Sequence, residues 1–194
     1  DRMLDMGFWP DIQAIMSKLP PTKQFLLFSA TMPQPIVELA KTFMKDPVHI
    51  KIAIAKPPST INQVFYPVDS HDKLRLLDEL MKQMDMKSTI IFVSTKIGAD
   101  RLYRALHERK LPVGVIHGDR EQADRDKVLL DFRSGKVQIL VATDVASRGI
   151  DVDGVTHVIN FDMPPDPDSY VHRIGRTARA GESGEALSFI THED

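Results

Sequence analysis

The chain has 194 residues, 25 Lys and Arg against 27 Asp and Glu, a formal net charge of -2 and no cysteine. With 42% hydrophobic residues it can build a real core, which excludes wholesale disorder, and its length suits one full domain plus part of another. The absence of cysteine excludes a disulfide framework, thiolate metal sites and a cysteine nucleophile, and the balanced charge argues against a purely electrostatic nucleic-acid binder. No apolar run approaches the roughly eighteen residues of a membrane-spanning helix. Asp1-Arg2-Met3-Leu4-Asp5 carries neither an initiator Met nor a leader pattern, so the chain reads as a piece of something longer, and a cytoplasmic protein is expected.

Taken in chain order, Gln24–Phe28 is a short apolar run that reads as a strand. A helix is expected over Gln34–Met44, entered through Pro33 and Pro35, with Ile36, Leu39, Ala40 and Phe43 as its apolar stripe. A strand at Val48–Ile52 follows. Residues 55–60, with Pro57 and Pro58, read as a linker that separates residues 1–54 from a second domain, 61–194. Beyond it the pattern predicts strands at Asn62–Val68, Thr89–Val93, Val113–Ile116, Val137–Ala142, His157–Phe161 and Glu185–Ile190. Helices are expected at His71–Met84, Lys96–Arg109, Glu121–Arg133 and Asp168–Thr177. Nearly all-apolar strands joined by amphipathic helices mean an α/β fold, a parallel sheet covered by helices on both faces.

In such sheets ligands bind outside the carboxyl ends of the strands. The unusual polar clusters fall there: Ser94-Thr95-Lys96, His117-Gly118-Asp119, and Thr143-Asp144 continuing to Ser147-Arg148-Gly149-Ile150-Asp151. Hydroxyls, together with the free N–H groups of the helices that follow, make a rim suited to phosphate. Gln122 and Arg125, three residues apart, escape the stripe of Leu129 and Phe132 next to this rim. A local cap or salt bridge is the competing role for Arg125. Thr95 to Lys136 holds ten Lys and Arg and seven Asp and Glu, which is only weakly basic.

The densest cluster is His172-Arg173-Ile174-Gly175-Arg176-Thr177-Ala178-Arg179-Ala180-Gly181. On a continuous helix the spacing i, i+4, i+7 places His172, Arg176 and Arg179 on one face. Cations so arranged repel unless an anion faces them. A triphosphate fits, because guanidinium makes bidentate bonds to phosphate oxygens; pairing with Asp162, Asp166 or Asp168 is the alternative. No G-x-x-x-x-G-K-[ST] loop, H-E-x-x-H or G-x-S-x-G is present, and the seven histidines show no metal-ligand spacing.

In their order and spacing these residues resemble the DEAD-box ATP-dependent RNA helicases over nearly the whole chain. Asp1 to Phe8 looks like the stretch that begins with the last Asp of the D-E-A-D box. Ser29-Ala30-Thr31 resembles the S-A-T motif, and Thr89–Lys96 resembles motif IV. His117-Gly118-Asp119 with Gln122 and Arg125 resembles the H-G-D and Q-x-x-R elements, Ala142–Asp151 motif V and His172–Gly181 motif VI.

The resemblance implies a RecA-like sheet preceded by the tail of a first RecA-like domain. It implies Arg176 and Arg179 as arginine fingers on ATP, Asp151 at the ribose, and Asp1 as part of the nucleotide site. Thr95, Gly118, Gln122, Arg125, Thr143 and Arg148 would line an RNA backbone path, with Ser29, Thr31 and His172 as couplers between domains. ATP with Mg2+ would be bound mainly by first-domain elements that precede Asp1, among them the Walker A loop, so this chain alone would be inactive. RNA would be bound without strong sequence preference, and no membrane is expected. The family commonly has Gly where this chain has Ala178. A DNA translocase of the same superfamily and a non-catalytic RecA-like interaction module are the alternatives.

Overall fold

A computed structural model describes residues 8–20, 22–28, 34–50, 60–144, 152, 154–179 and 182–194. The chain divides into two compact units, Asp1–Ile54 and Ala55–Asp194. Apart from Thr60, the expected linker lies outside the described residues.

In the first unit α1 spans Trp9–Ser17 and α2 spans Gln34–Phe43. The first of these was not expected from the pattern. Pro10 in its opening turn is preorganised for a helix, and Asp11 complements the helix dipole. Phe43 ties the unit together, with Trp9 at 5.9 Å and Phe25 at 5.5 Å between ring centroids. The strands expected at Gln24–Phe28 and Val48–Ile52 are not found among the described residues. Leu26, Phe28, Val48 and Ile50 are all exposed there. An apolar run becomes a strand only when a neighbour takes its N–H and C=O groups, and the described residues of this unit hold no such neighbour.

The second unit holds six strands: β1 Ile61–Pro67, β2 Thr89–Phe92, β3 Val113–Ile116, β4 Ile139–Ala142, β5 His157–Asn160 and β6 Gly184–Ile190. They form one sheet of order β1-β6-β5-β2-β4-β3, and every pairing is parallel. Helices α3 Lys73–Gln83, α4 Lys96–Glu108, α5 Gln122–Arg133 and α6 Pro167–Ile174 connect them. The fold is RecA-like.

The pleat divides the core. Ile91, Val93, Val141, Ile159 and Leu187 face one way and pack with Leu77 and Leu80 of α3 and Leu102 and Leu106 of α4. Ile90, Phe92, Leu140 and Val158 face the other way and meet Phe132 of α5. Ile174 of α6 packs with Ile61 and Ala186. Because all six strands run in parallel, their carboxyl ends share one edge, and β2 lies at the centre of it. No helix among the described residues is long and apolar enough to cross a membrane.

At the opposite edge His157 opens β5, with its Nδ1 2.8 Å from Thr156 Oγ1. Burial lowers the His157 pKa, and the carboxylates of Glu185 and Asp85 offset this only in part. The unfolded chain therefore takes up this proton before the folded one does. The stability this histidine contributes is complete above its ordinary value and is lost as pH falls through the lower folded one. In melts between about pH 8 and about pH 5, His157→Gln should flatten the acid-side fall of Tm. Equal falls in both proteins would place the acid sensitivity elsewhere.

Candidate functional site

The rim is built at the carboxyl edge of the second unit. Thr95 ends the β2 loop and caps α4, accepting a 3.0 Å bond from the Gly98 amide. A side chain at Gly98 would sit 2.9 Å from both Thr95 Oγ1 and Val93 Cγ1, so the cap needs glycine there. Lys96 pairs with Asp119 across Gly118. After β3, His117 is buried, with Nε2 3.1 Å from Asp100 Oδ1, and Arg120 donates to the same oxygen at 2.6 Å. Burial pushes the Asp100 carboxyl up, but the hydrogen bonds to His117 and Arg120 outweigh it and hold the group below the usual range.

Gln122 opens α5 and bridges Arg125, which donates to its Oε1 at 2.9 Å, and Asp126, which accepts from its Nε2 at 2.8 Å. The stripe expected from the i, i+3 spacing thus makes a direct contact. Thr143 is buried at the end of β4, and its amide donates to Ile116 O at 3.3 Å. Thr95, Gly118, Gln122, Arg125 and Thr143 all follow carboxyl ends of neighbouring strands. Asp1, Ser29, Thr31, Arg148 and Asp151 lie outside the described residues.

Motif VI departs from the expected continuous helix. α6 stops at Ile174, with Gly175 as its C-cap, so His172 is helical while Arg176 and Arg179 follow the helix end. Two features stop it. The buried Thr177 hydroxyl donates to the Val155 carbonyl at 2.5 Å, pinning the chain beside the start of β5. Ala178 then adopts φ +54°. Gly184 leaves the room: a Cβ there would lie 2.1 Å from Thr177 Oγ1. Arg179 Nε donates back to the Gly175 carbonyl at 3.2 Å. His172, Arg176 and Arg179 are all half-buried.

The residue that sequence reasoning passed over is Arg173, only 2% exposed. It donates to both Asp144 oxygens, from Nε at 2.7 Å and from Nη2 at 2.8 Å. Nη1 donates to Asn160 Oδ1 at 3.1 Å and to the Asp162 carbonyl at 2.6 Å, and the guanidinium lies 5.0 Å above the Phe92 ring. The Asp162 carboxylate takes Lys73 at 2.8 Å and the Ser94 amide at 3.0 Å. Asp166 caps α6 through Ser169, whose hydroxyl and amide hold its carboxyl below the usual range. A signal was available. Arg173 stands beside Ile174 on the stripe that includes Tyr170 and Thr177, so a core-facing arginine required a carboxylate.

Comparison with known proteins agrees with this architecture. Residues 72–181 match the family described as helicase conserved C-terminal domain, and residues 1–39 match the DEAD/DEAH box helicase family. The chain belongs to the DEAD-box helicases. It is 48% identical over 192 residues to the DEAD-box ATP-dependent RNA helicase CshA of Bacillus subtilis (strain 168), covering 98% of this chain and 39% of that protein. The CshA of Geobacillus kaustophilus (strain HTA426) is 49% identical over 194 residues, covering 98% of this chain and 41% of the relative. The chain thus spans well under half the length of these curated relatives. Among solved structures, S. cerevisiae Dbp5 bound to RNA and ADP BeF3 superposes with a TM-score of 0.87 at 35% identity, covering 97% of this chain and 51% of that one. A DEAD box protein from Methanococcus jannaschii gives 0.66 at 42% identity, covering 98% and 52%.

Two outcomes test this geometry within the DEAD-box chain. Removing one partner of a buried ion pair costs about 3–5 kcal/mol, so Arg173→Ala should lose that much in urea unfolding. A loss below about 1 kcal/mol would mean that the pair is screened like a surface one. Ala178→Gly should raise stability by about 0.5–1 kcal/mol, since relief of the left-handed backbone exceeds the added unfolded-state entropy. A decrease would show that the Ala178 methyl packs better than its backbone costs.

Proposed function

We propose that this chain is the part of an ATP-dependent RNA helicase that carries an RNA-backbone rim and the arginine pair for the nucleotide. The observation that carries the reading is the layout of the second unit. Phosphate-suited loops gather at one sheet edge, while two half-buried arginines follow the far end of α6, beside the opposite end of β5. That the CshA relatives are named RNA helicases, and that the similar Dbp5 structure holds RNA, supports RNA over DNA.

In this reading Thr95, Gly118, Gln122, Arg125, Thr143 and Arg148 take backbone phosphates and 2′-hydroxyls, which gives binding with little sequence preference. Arg176 and Arg179, with Asp151 at the ribose, take ATP. Their planar forks neutralise charge that develops on the transferring phosphoryl group. Arg176 and Arg179 are cationic donors with no lone pair to offer a metal, so they suit the nucleotide's phosphates rather than its metal. Mg2+ bound with ATP would supply further charge neutralisation, and Asp1 is the last residue of the acidic box. His172, Ser29 and Thr31 couple nucleotide state to RNA binding. The chain contains no Walker A sequence, so alone it turns over no ATP.

The test pairs two kinds of substitution. In the full-length helicase, Arg176→Ala or Arg179→Ala should lower RNA-stimulated hydrolysis on the order of a thousandfold or more while nucleotide-independent RNA binding survives. In this chain, Arg125→Ala should reduce the log–log salt slope of single-strand binding by about 0.7, the value for one phosphate contact. Near-normal turnover in both arginine variants would remove the finger assignment. An unchanged slope would make Arg125 a structural residue.

A further inference from the structure

The described arginines of the second unit are nearly all engaged. Arg75, Arg109, Arg120 and Arg173 make ion pairs, and Arg125 bonds Gln122. Arg101 and Arg104 are different. Both are exposed on α4, three residues apart on one face, and among the described residues their side chains make no hydrogen bond, ion pair or ring contact. Like charges at this spacing repel in an isolated helix, and an anion placed between them removes that repulsion. The acidic residue next on the stripe, Glu108, is exposed and pairs with neither.

The pair is continuous with the rim. α4 starts at Lys96, directly after Thr95, and its first exposed stripe residue is Ile97. At 1.5 Å per residue, Arg101 and Arg104 lie about 8 Å and about 12 Å along the axis from Lys96. Helical side chains lean toward the N-terminus, which brings both guanidinium groups back toward the rim. A protein partner would need an apolar or aromatic centre to its contact, and the stripe offers only Ile97. A phosphate backbone needs no such centre. We infer that Arg101 and Arg104 extend the RNA path along the outer face of α4, taking backbone phosphates of a strand that runs beyond the rim. This rests on the RNA reading of the rim.

The experiment compares a short oligouridylate, sized to the rim, with one twice its length, by fluorescence anisotropy at several salt concentrations with this 194-residue chain. The double variant Arg101→Ala/Arg104→Ala should bind the long strand several-fold more weakly, with a salt slope shallower by about 1.4, while short-strand binding is unchanged. Arg101→Lys/Arg104→Lys should restore most of the slope. Arg125→Ala, by contrast, should weaken both strands. Unchanged long-strand binding in the double Ala variant, with Arg125→Ala still effective, would overturn the extension and leave the rim intact. Failure of the unaltered chain to bind either strand would overturn both. Polyglutamate that competes with the long strand as well as RNA does, and loses affinity equally in the double Ala variant, would reassign the stripe to acidic proteins.

Discussion

A guanidinium cannot be taken out of water without replacing its hydration, and Arg173 shows what this demands of a fold. Its nitrogens are answered by Asp144, Asn160 and the Asp162 carbonyl, and its face by the Phe92 ring. These partners come from the ends of β2, β4 and β5, which are neighbours at the centre of the sheet. Asp162 then carries the network on to Lys73 of α3 and to the Ser94 amide. In a low-dielectric interior each of these bonds is strong only while the others hold. The loops that carry Thr95 and Thr143 are therefore positioned by a charge buried within the sheet.

The same side chain relates the two halves of the site. Arg173 reaches back along α6 toward its N-terminus, as helical side chains do, and anchors that end at the carboxyl edge of the sheet. At the other end Thr177 docks on the carbonyls of Val155 and Thr156, in space that Gly184 leaves open. A two-turn helix held at both ends behaves as a strut. In the proposed reading it stands between the RNA rim and the arginines that follow it. The left-handed backbone at Ala178 is the local strain that this docking imposes.

Charge is distributed with similar economy. A net charge of -2 conceals a unit in which, among the described residues, many basic side chains have acidic partners while two arginines on α4 have none. Net charge speaks to solubility and long-range steering, whereas contacts with phosphate depend on which cations remain available at the surface. The overall balance and a nucleic-acid surface are thus compatible.

Periodicity alone determined the α/β class and placed the six strands of the second unit to within a residue or two; for β2 to β5 the reason is that a fully buried parallel strand must be almost continuously apolar. The rim was legible too, since polar tripeptides directly after such strands can only fall at the carboxyl edge. Other features depended on partners distant in sequence. Gln24–Phe28 has a strand's composition and no described neighbour to pair with. α6 stops at Ile174 because Thr177 finds carbonyls 21 and 22 residues back along the chain. Arg173 is an anchor rather than a surface charge because sheet order sets β4 and β5 on either side of β2. Local pattern decides which face a residue presents; only the packed sheet decides what that face meets.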